Sequence, residues 1–161
     1  MTWTTIDDPE TDSVVEYGVN GFILSAVGTR EKFIDGGNEK KSQWIHRVKL
    51  QDLEPETKYI YHCGSSLGWS AVFFFTTFPS GTKWSPRIAL FGDMGNENIQ
   101  SLPRLQEETQ RGLYDAIIHV GDFAYDMNSD NARVGDEFMT QIQSIAAYLP
   151  YQVCPGNHEE A

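Results

Sequence analysis

A chain of 161 residues, 40% hydrophobic and 22% charged, has room for one or two small domains and is too apolar to be a disordered tail. Its formal net charge of −11 and pI of about 4.6 argue against nucleic acid and anionic membrane as partners, since like charges repel. No apolar run approaches the ~20 residues of a membrane-spanning helix, and the start, Met1 to Asp8, has neither the basic beginning nor the apolar core of a signal peptide.

The first half of the chain predicts a β-sandwich. Strand-like runs fall at Met1–Thr5, Ser13–Tyr17, Phe22–Val27, Gln43–Leu50, Thr57–Cys63 and Ala71–Thr77. Turn signals separate them: Asp7-Asp8-Pro9, Gly18, Asp35-Gly36-Gly37-Asn38 and Gly64-Ser65-Ser66. Such spacing suits Greek-key connections. The stretch Leu53-Glu54-Pro55-Glu56-Thr57-Lys58-Tyr59 resembles the tyrosine corner of fibronectin type III domains, where the hydroxyl bonds back to the backbone. Tyr59 therefore reads as structural. Such a domain has seven strands; the first is expected to precede Met1, leaving an open edge. Residues 80–87, flanked by Pro79 and ending Trp84-Ser85-Pro86-Arg87, have the composition of a linker, with Trp84 pinning the boundary. The two cysteines, Cys63 and Cys154, lie on strands of different halves and are expected to be buried free thiols.

From Ile88 onward the pattern changes to short apolar runs, each ending in polar residues. Ile88–Phe91 leads into Gly92-Asp93-Met94-Gly95, and a helix is expected from near Ser101, with Pro103 tolerated in its first turn. Ala116–Val120 leads into Gly121-Asp122-Phe123-Ala124-Tyr125, and then a polar loop, Asp126–Asp136, expected near the site mouth beside Tyr125, either to shape substrate access or as a solvated connection. His119, inside that strand, reads as a buried histidine bonded to a neighbour. Val134, Phe138, Ile142, Ile145 and Leu149 follow helical spacing and predict a helix over Val134–Leu149, stopped by Pro150. Tyr151–Cys154 leads into Pro155-Gly156-Asn157-His158-Glu159. These runs predict parallel strands buried on both faces, joined by βαβ crossovers. The chain then leaves all three strands at one sheet edge, where ligands bind in such folds. Asp93, Asp122, Tyr125, Asn157 and His158 should converge there. They offer oxygen and nitrogen donors without a thiol, a set that suits hard, highly charged cations.

Gly-Asp-Met-Gly, Gly-Asp-Phe-Ala-Tyr and Gly-Asn-His-Glu, in this order and each after a strand, resemble the first three signature blocks of the purple acid phosphatases, which are calcineurin-like metallophosphoesterases. The resemblance extends to the N-terminal half, similar to that family's fibronectin-type domain. It implies a fibronectin type III-like β-sandwich at 1–79, a linker at 80–87, and the first βαβαβ part of an α/β metallophosphoesterase domain at 88–161. It implies a binuclear centre of Fe(3+) and a divalent ion (Zn, Fe or Mn). Asp93 and the Tyr125 phenolate would bind the ferric ion, Asp122 would bridge, Asn157 would bind the divalent ion, and His158 would contact the substrate phosphate or leaving group. Gly95 stands where most of the superfamily has a histidine, and Tyr125 would replace that ligand. The substrate would be a small phosphate ester, and the location secreted or lysosomal. The family's three later histidine ligands have no counterpart before Ala161; His46, His62 and His119 match no ligand position. The chain is therefore expected to be a truncated fragment of an acid phosphatase, with an incomplete centre and no useful catalysis by itself. The alternatives are a non-catalytic form or binding module, and a phosphodiesterase or nuclease of the same superfamily. The acidic charge and the Gly95/Tyr125 exchange weigh against the last.

Overall fold

The computed structural model describes residues 1–8 and 10–159. Pro9, part of the first expected turn, lies outside them. Contacts divide the chain into two units: Met1–Ile34 with Lys40–Ser80, and Asp35–Glu39 with Gly81–Ala161.

The first unit is one curled antiparallel sheet of seven strands. They are β1 (Thr2–Thr5), β2 (Ser13–Gly18), β3 (Leu24–Ile34), β4 (Ser42–Arg47), β5 (Lys58–Ser65), β6 (Gly68–Trp69) and β7 (Phe73–Thr76). The expected third strand stopped at Val27. In the structure β3 runs on and changes partner: Leu24–Gly28 pairs with β2, and Thr29–Ile34 pairs with β4. That exchange curls the sheet into two layers. Gly28 allows it, because an added Cβ would sit 2.0 Å from the Arg47 carbonyl oxygen. The two-residue β6, too short for a period-two pattern, is additional to the six expected strands.

Alternation along β2 and β5 builds the core. Val15, Tyr17, Tyr59, Tyr61 and Cys63 point inward with Val48, and Trp3, Phe73 and Phe75 pack around them. Tyr59 forms the expected corner: its hydroxyl accepts from the Glu54 backbone N–H at 3.0 Å, and its ring stacks on Phe75. His46 is buried against Trp3, with its ring nitrogens bonded to Ser13 Oγ (2.7 Å) and Thr5 Oγ1 (2.9 Å).

The second unit holds a parallel sheet of β8 (Ile88–Phe91), β9 (Ala116–Val120) and β10 (Tyr151–Cys154), in the order β10-β9-β8. Helices α1 (Leu102–Gln110) and α2 (Ser129–Ala146) join them. Leu105, Phe138, Ile142 and Ile145 form one core with Ile117, so both helices cover the same face. The expectation of strands buried on both faces is therefore corrected: Ile88, Leu90 and Val120 on the other face are exposed, Leu90 to 66%. Cys154 is exposed as well, while Cys63 is buried, and both are free. Helix α1 begins where expected, with Pro103 in its first turn. Helix α2 starts earlier than Val134, within the expected polar loop, and Asp130, Asn131 and Ala132 break it with left-handed φ of 50°, 53° and 65°. Regular helix resumes after that break, close to the expected start. It ends at Ala146, and Leu149 still packs on the core.

Candidate metal centre

The exit loops of β8, β9 and β10 carry the five expected residues, and the first two loops are each anchored by an apolar neighbour. Met94 follows Asp93 and is buried; Ala124 lies between Asp122 and Tyr125 and is buried too. Anchoring these side chains in the core leaves Asp93 and Tyr125 exposed. Asp93, Asp122 and Tyr125 all adopt left-handed φ (53°, 52° and 52°), a conformation uncommon in residues other than glycine. Three such residues in two adjoining loops mark backbone held in place by its surroundings.

The loops are also bonded to one another. The Asp93 backbone N–H donates to the Gly121 carbonyl at 3.2 Å, tying the first loop to the second. The Tyr125 hydroxyl donates to Asp93 Oδ1 at 2.7 Å, so two expected ligands of one ion already touch. The hydrogen bond to Asp93, with burial and the carboxylates of Asp93 and Asp122, pushes the Tyr125 phenol pKa up. The Tyr125 ring stands over Gly95, where a built Cβ would lie 3.7 Å from it. The second and third loops meet more closely: Asp122 Oδ1 accepts from the His158 backbone N–H at 3.1 Å. A Cβ on Gly156 would lie 2.2 Å from that same oxygen, and one on Gly121 would lie 2.6 Å from Gly156 Cα. Only glycine fits at either position.

His158 turns its ring edge toward Tyr125, with centroids 4.8 Å apart. Its Nδ1 bonds to Asp126 Oδ1 at 2.9 Å; a carboxylate only accepts, so Nδ1 carries the proton. That hydrogen bond raises the imidazole pKa. Asn157 is exposed in the turn between Gly156 and His158.

Two participants had no role assigned from sequence. Asp126 read only as the start of the polar loop that leaves β9 beside Tyr125, near the site mouth. Glu159 read only as the last letter of its block. In the structure its carboxylate accepts three backbone N–H groups, from Asp122, Phe123 and Gly156, each at 2.8 Å. Burial alone would raise its pKa, but those three bonds outweigh it and hold the carboxyl below its ordinary value.

The donor set is two carboxylates, a phenol and an amide, all oxygen and gathered at one sheet edge, which fits hard cations. Among the described residues no group of three His, Cys, Asp or Glu is placed to hold a metal ion. Tyr125 and Asn157 fall outside that count, and a complete ligand set needs more than these four residues.

Residues 1–77 match the family model for the purple acid phosphatase N-terminal domain, and residues 86–161 match that for calcineurin-like phosphoesterases. The chain is 58% identical to acid phosphatase type 7 of Danio rerio, covering 100% of this chain and 37% of that protein. It is 50% identical to acid phosphatase type 7 of Homo sapiens, covering 99% of this chain and again 37% of the relative. Among solved structures, a purple acid phosphatase from yellow lupin seeds (Lupinus luteus) superposes with a TM-score of 0.75 at 25% identity, covering 98% of this chain and 32% of that one. The chain thus spans little more than a third of the length of the curated relatives it matches.

Proposed function

The chain belongs to the purple acid phosphatases, within the calcineurin-like metallophosphoesterases, and from that premise we propose that the protein containing it hydrolyses small phosphate monoesters at a binuclear metal centre. The observation that carries the reading is the contact of the three loops: Tyr125 on Asp93, and Asp122 on the His158 backbone. Asp93 and Tyr125 would hold a ferric ion, Asp122 would bridge, and Asn157 would hold the divalent ion (Zn, Fe or Mn), with further ligands from the longer chain. A metal pair bound there clamps phosphoryl oxygens and supplies an activated water near neutral pH.

The chain's own residues then have separate tasks. Tyr125 would bind as the phenolate, its hydroxyl proton, now donated to Asp93, leaving to solvent. Asp126 fixes the His158 ring through Nδ1 and leaves Nε2 for the phosphate or leaving oxygen. Gly95 keeps the space below the Tyr125 ring open. The division at residues 79 and 88 assigns the sandwich to structural support and residues 88–161 to the metal loops. A secreted or lysosomal location follows from the same premise; among the described residues no helix is long and apolar enough to cross a membrane.

The test uses the natural full-length chain. Hydrolysis of p-nitrophenyl phosphate should rise in proportion to bound metal, and Tyr125→Phe should abolish any visible phenolate-to-iron absorption band. Hydrolysis that continues unchanged after complete metal removal would overturn the proposal.

A further inference from the structure

We infer that Glu159 is a positioning residue: it spaces the Asp122 loop and the Gly156-Asn157-His158 turn through their backbones, without touching metal or substrate. This rests on the proposed metal centre for its consequence, but not for its geometry. Glu159 Oε2 accepts from the Asp122 and Gly156 N–H groups, and Oε1 accepts from Phe123. These donors belong to two loops at the ends of neighbouring strands β9 and β10. One rigid carboxylate can engage all three only when the loops keep one spacing.

The donors are arranged for an anion. Gly121 and Asp122 both have positive φ (75° and 52°), and the consecutive N–H groups of Asp122 and Phe123 are bonded to the two oxygens of one carboxylate. Successive N–H groups in such a turn form an anion-binding concavity. Here the anion comes from the chain itself. The loop thus gains the charge it needs without recruiting a substrate phosphate to a place away from the metals. The turn that supplies Glu159 also supplies the His158 N–H that holds Asp122 Oδ1. Aim and spacing of the Asp122 carboxylate are therefore set from one short segment. Glutamine at 159 keeps a single acceptor oxygen and turns an NH2 toward backbone donors, so it cannot satisfy the three together.

The experiment compares Glu159→Gln with the unsubstituted natural full-length chain, using Zn2+ in competition with a chelator. Val15→Ala, a fully buried change in the separate core of the first unit, serves as a destabilised control. Displaced supports of metal ligands weaken binding by about 10- to 100-fold. Glu159→Gln should show that loss, while Val15→Ala keeps its Zn2+ affinity despite a lower melting temperature. Amide hydrogen exchange should accelerate in Glu159→Gln at Asp122, Phe123 and Gly156 before other loop amides. Unchanged affinity, or equal loss in Val15→Ala, overturns the positioning role. If the unsubstituted chain binds no Zn2+, the metal reading fails by itself, and the exchange pattern alone decides: unchanged exchange at the three amides overturns the inference.

Discussion

Replacing Gly156 with alanine probes the closest approach in the site. The added Cβ would sit 2.2 Å from Asp122 Oδ1 and 2.7 Å from the Asp122 backbone nitrogen. Carbon–oxygen contacts settle near ~3.3 Å, so relief takes a shift of about 1 Å. If the Asp122 side chain rotates, it leaves the His158 N–H. If the backbone yields, the third loop moves and carries Asn157 with it. Gly156 has no left-handed φ, so sterics alone carry the effect. Overpacking of this kind costs about 1–3 kcal/mol, and a displacement of about 1 Å at reacting groups costs about 100-fold in rate. The assay is urea unfolding together with kcat/KM for p-nitrophenyl phosphate in the natural full-length chain. Gly68→Ala, where nothing lies within 4 Å of the added methyl, is the neutral control. Stability and kcat/KM in Gly156→Ala within twofold of the control would refute the reasoning.

Three further outcomes are expected. Burial pushes the His119 imidazole pKa down, against weaker upward pulls from Glu159 and Asp93; the native state then binds fewer protons than the unfolded chain as pH falls below ~6.5, and stability drops by up to about 1.4 kcal/mol per pH unit for the group. The double change His119→Phe with Tyr151→Phe removes both partners of a 2.8 Å bond and should flatten that acid-side slope, measured by urea unfolding between pH 7 and 5; an unchanged slope contradicts it. Tyr59→Phe should lower stability by about 1 kcal/mol, since the Glu54 N–H loses its acceptor while the ring still packs; no change in melting temperature would count against the corner. Ile145→Ala, at 0% exposure, should cost about 2–5 kcal/mol in denaturant unfolding, and a cost below that range would mean the helix core is looser than described.

The sequence was most informative where period and punctuation agreed. The runs Ser13–Tyr17 and Thr57–Cys63 placed two strands, the stretch Leu53–Tyr59 placed the corner, and the stripe from Val134 placed the helix core. It was least informative where tertiary partners decide. Nothing local shows β3 running past Val27 and exchanging β2 for β4 at Gly28, because Thr29–Ile34 is held as strand by its pairing with β4. Apolar runs at Ile88 and Ala116 cannot tell one covered face from two, since that depends on which side the crossovers take. The three loops at one sheet edge were legible because glycine followed by a polar residue after a strand, at Asp93, Asp122 and Asn157, is a local signal. Glu159 was not, because its partners are backbone N–H groups 36 and 37 residues away as well as nearby. Asp126 bonds across 32 residues and was missed for the same reason.

The central claim is that Asp122 bridges two metal ions, and metal content per natural full-length chain tests it most directly. Elemental analysis should find two ions per chain in the unsubstituted protein and loss of the pair in Asp122→Asn. Two ions retained in Asp122→Asn, or none in the unsubstituted protein, would contradict the account.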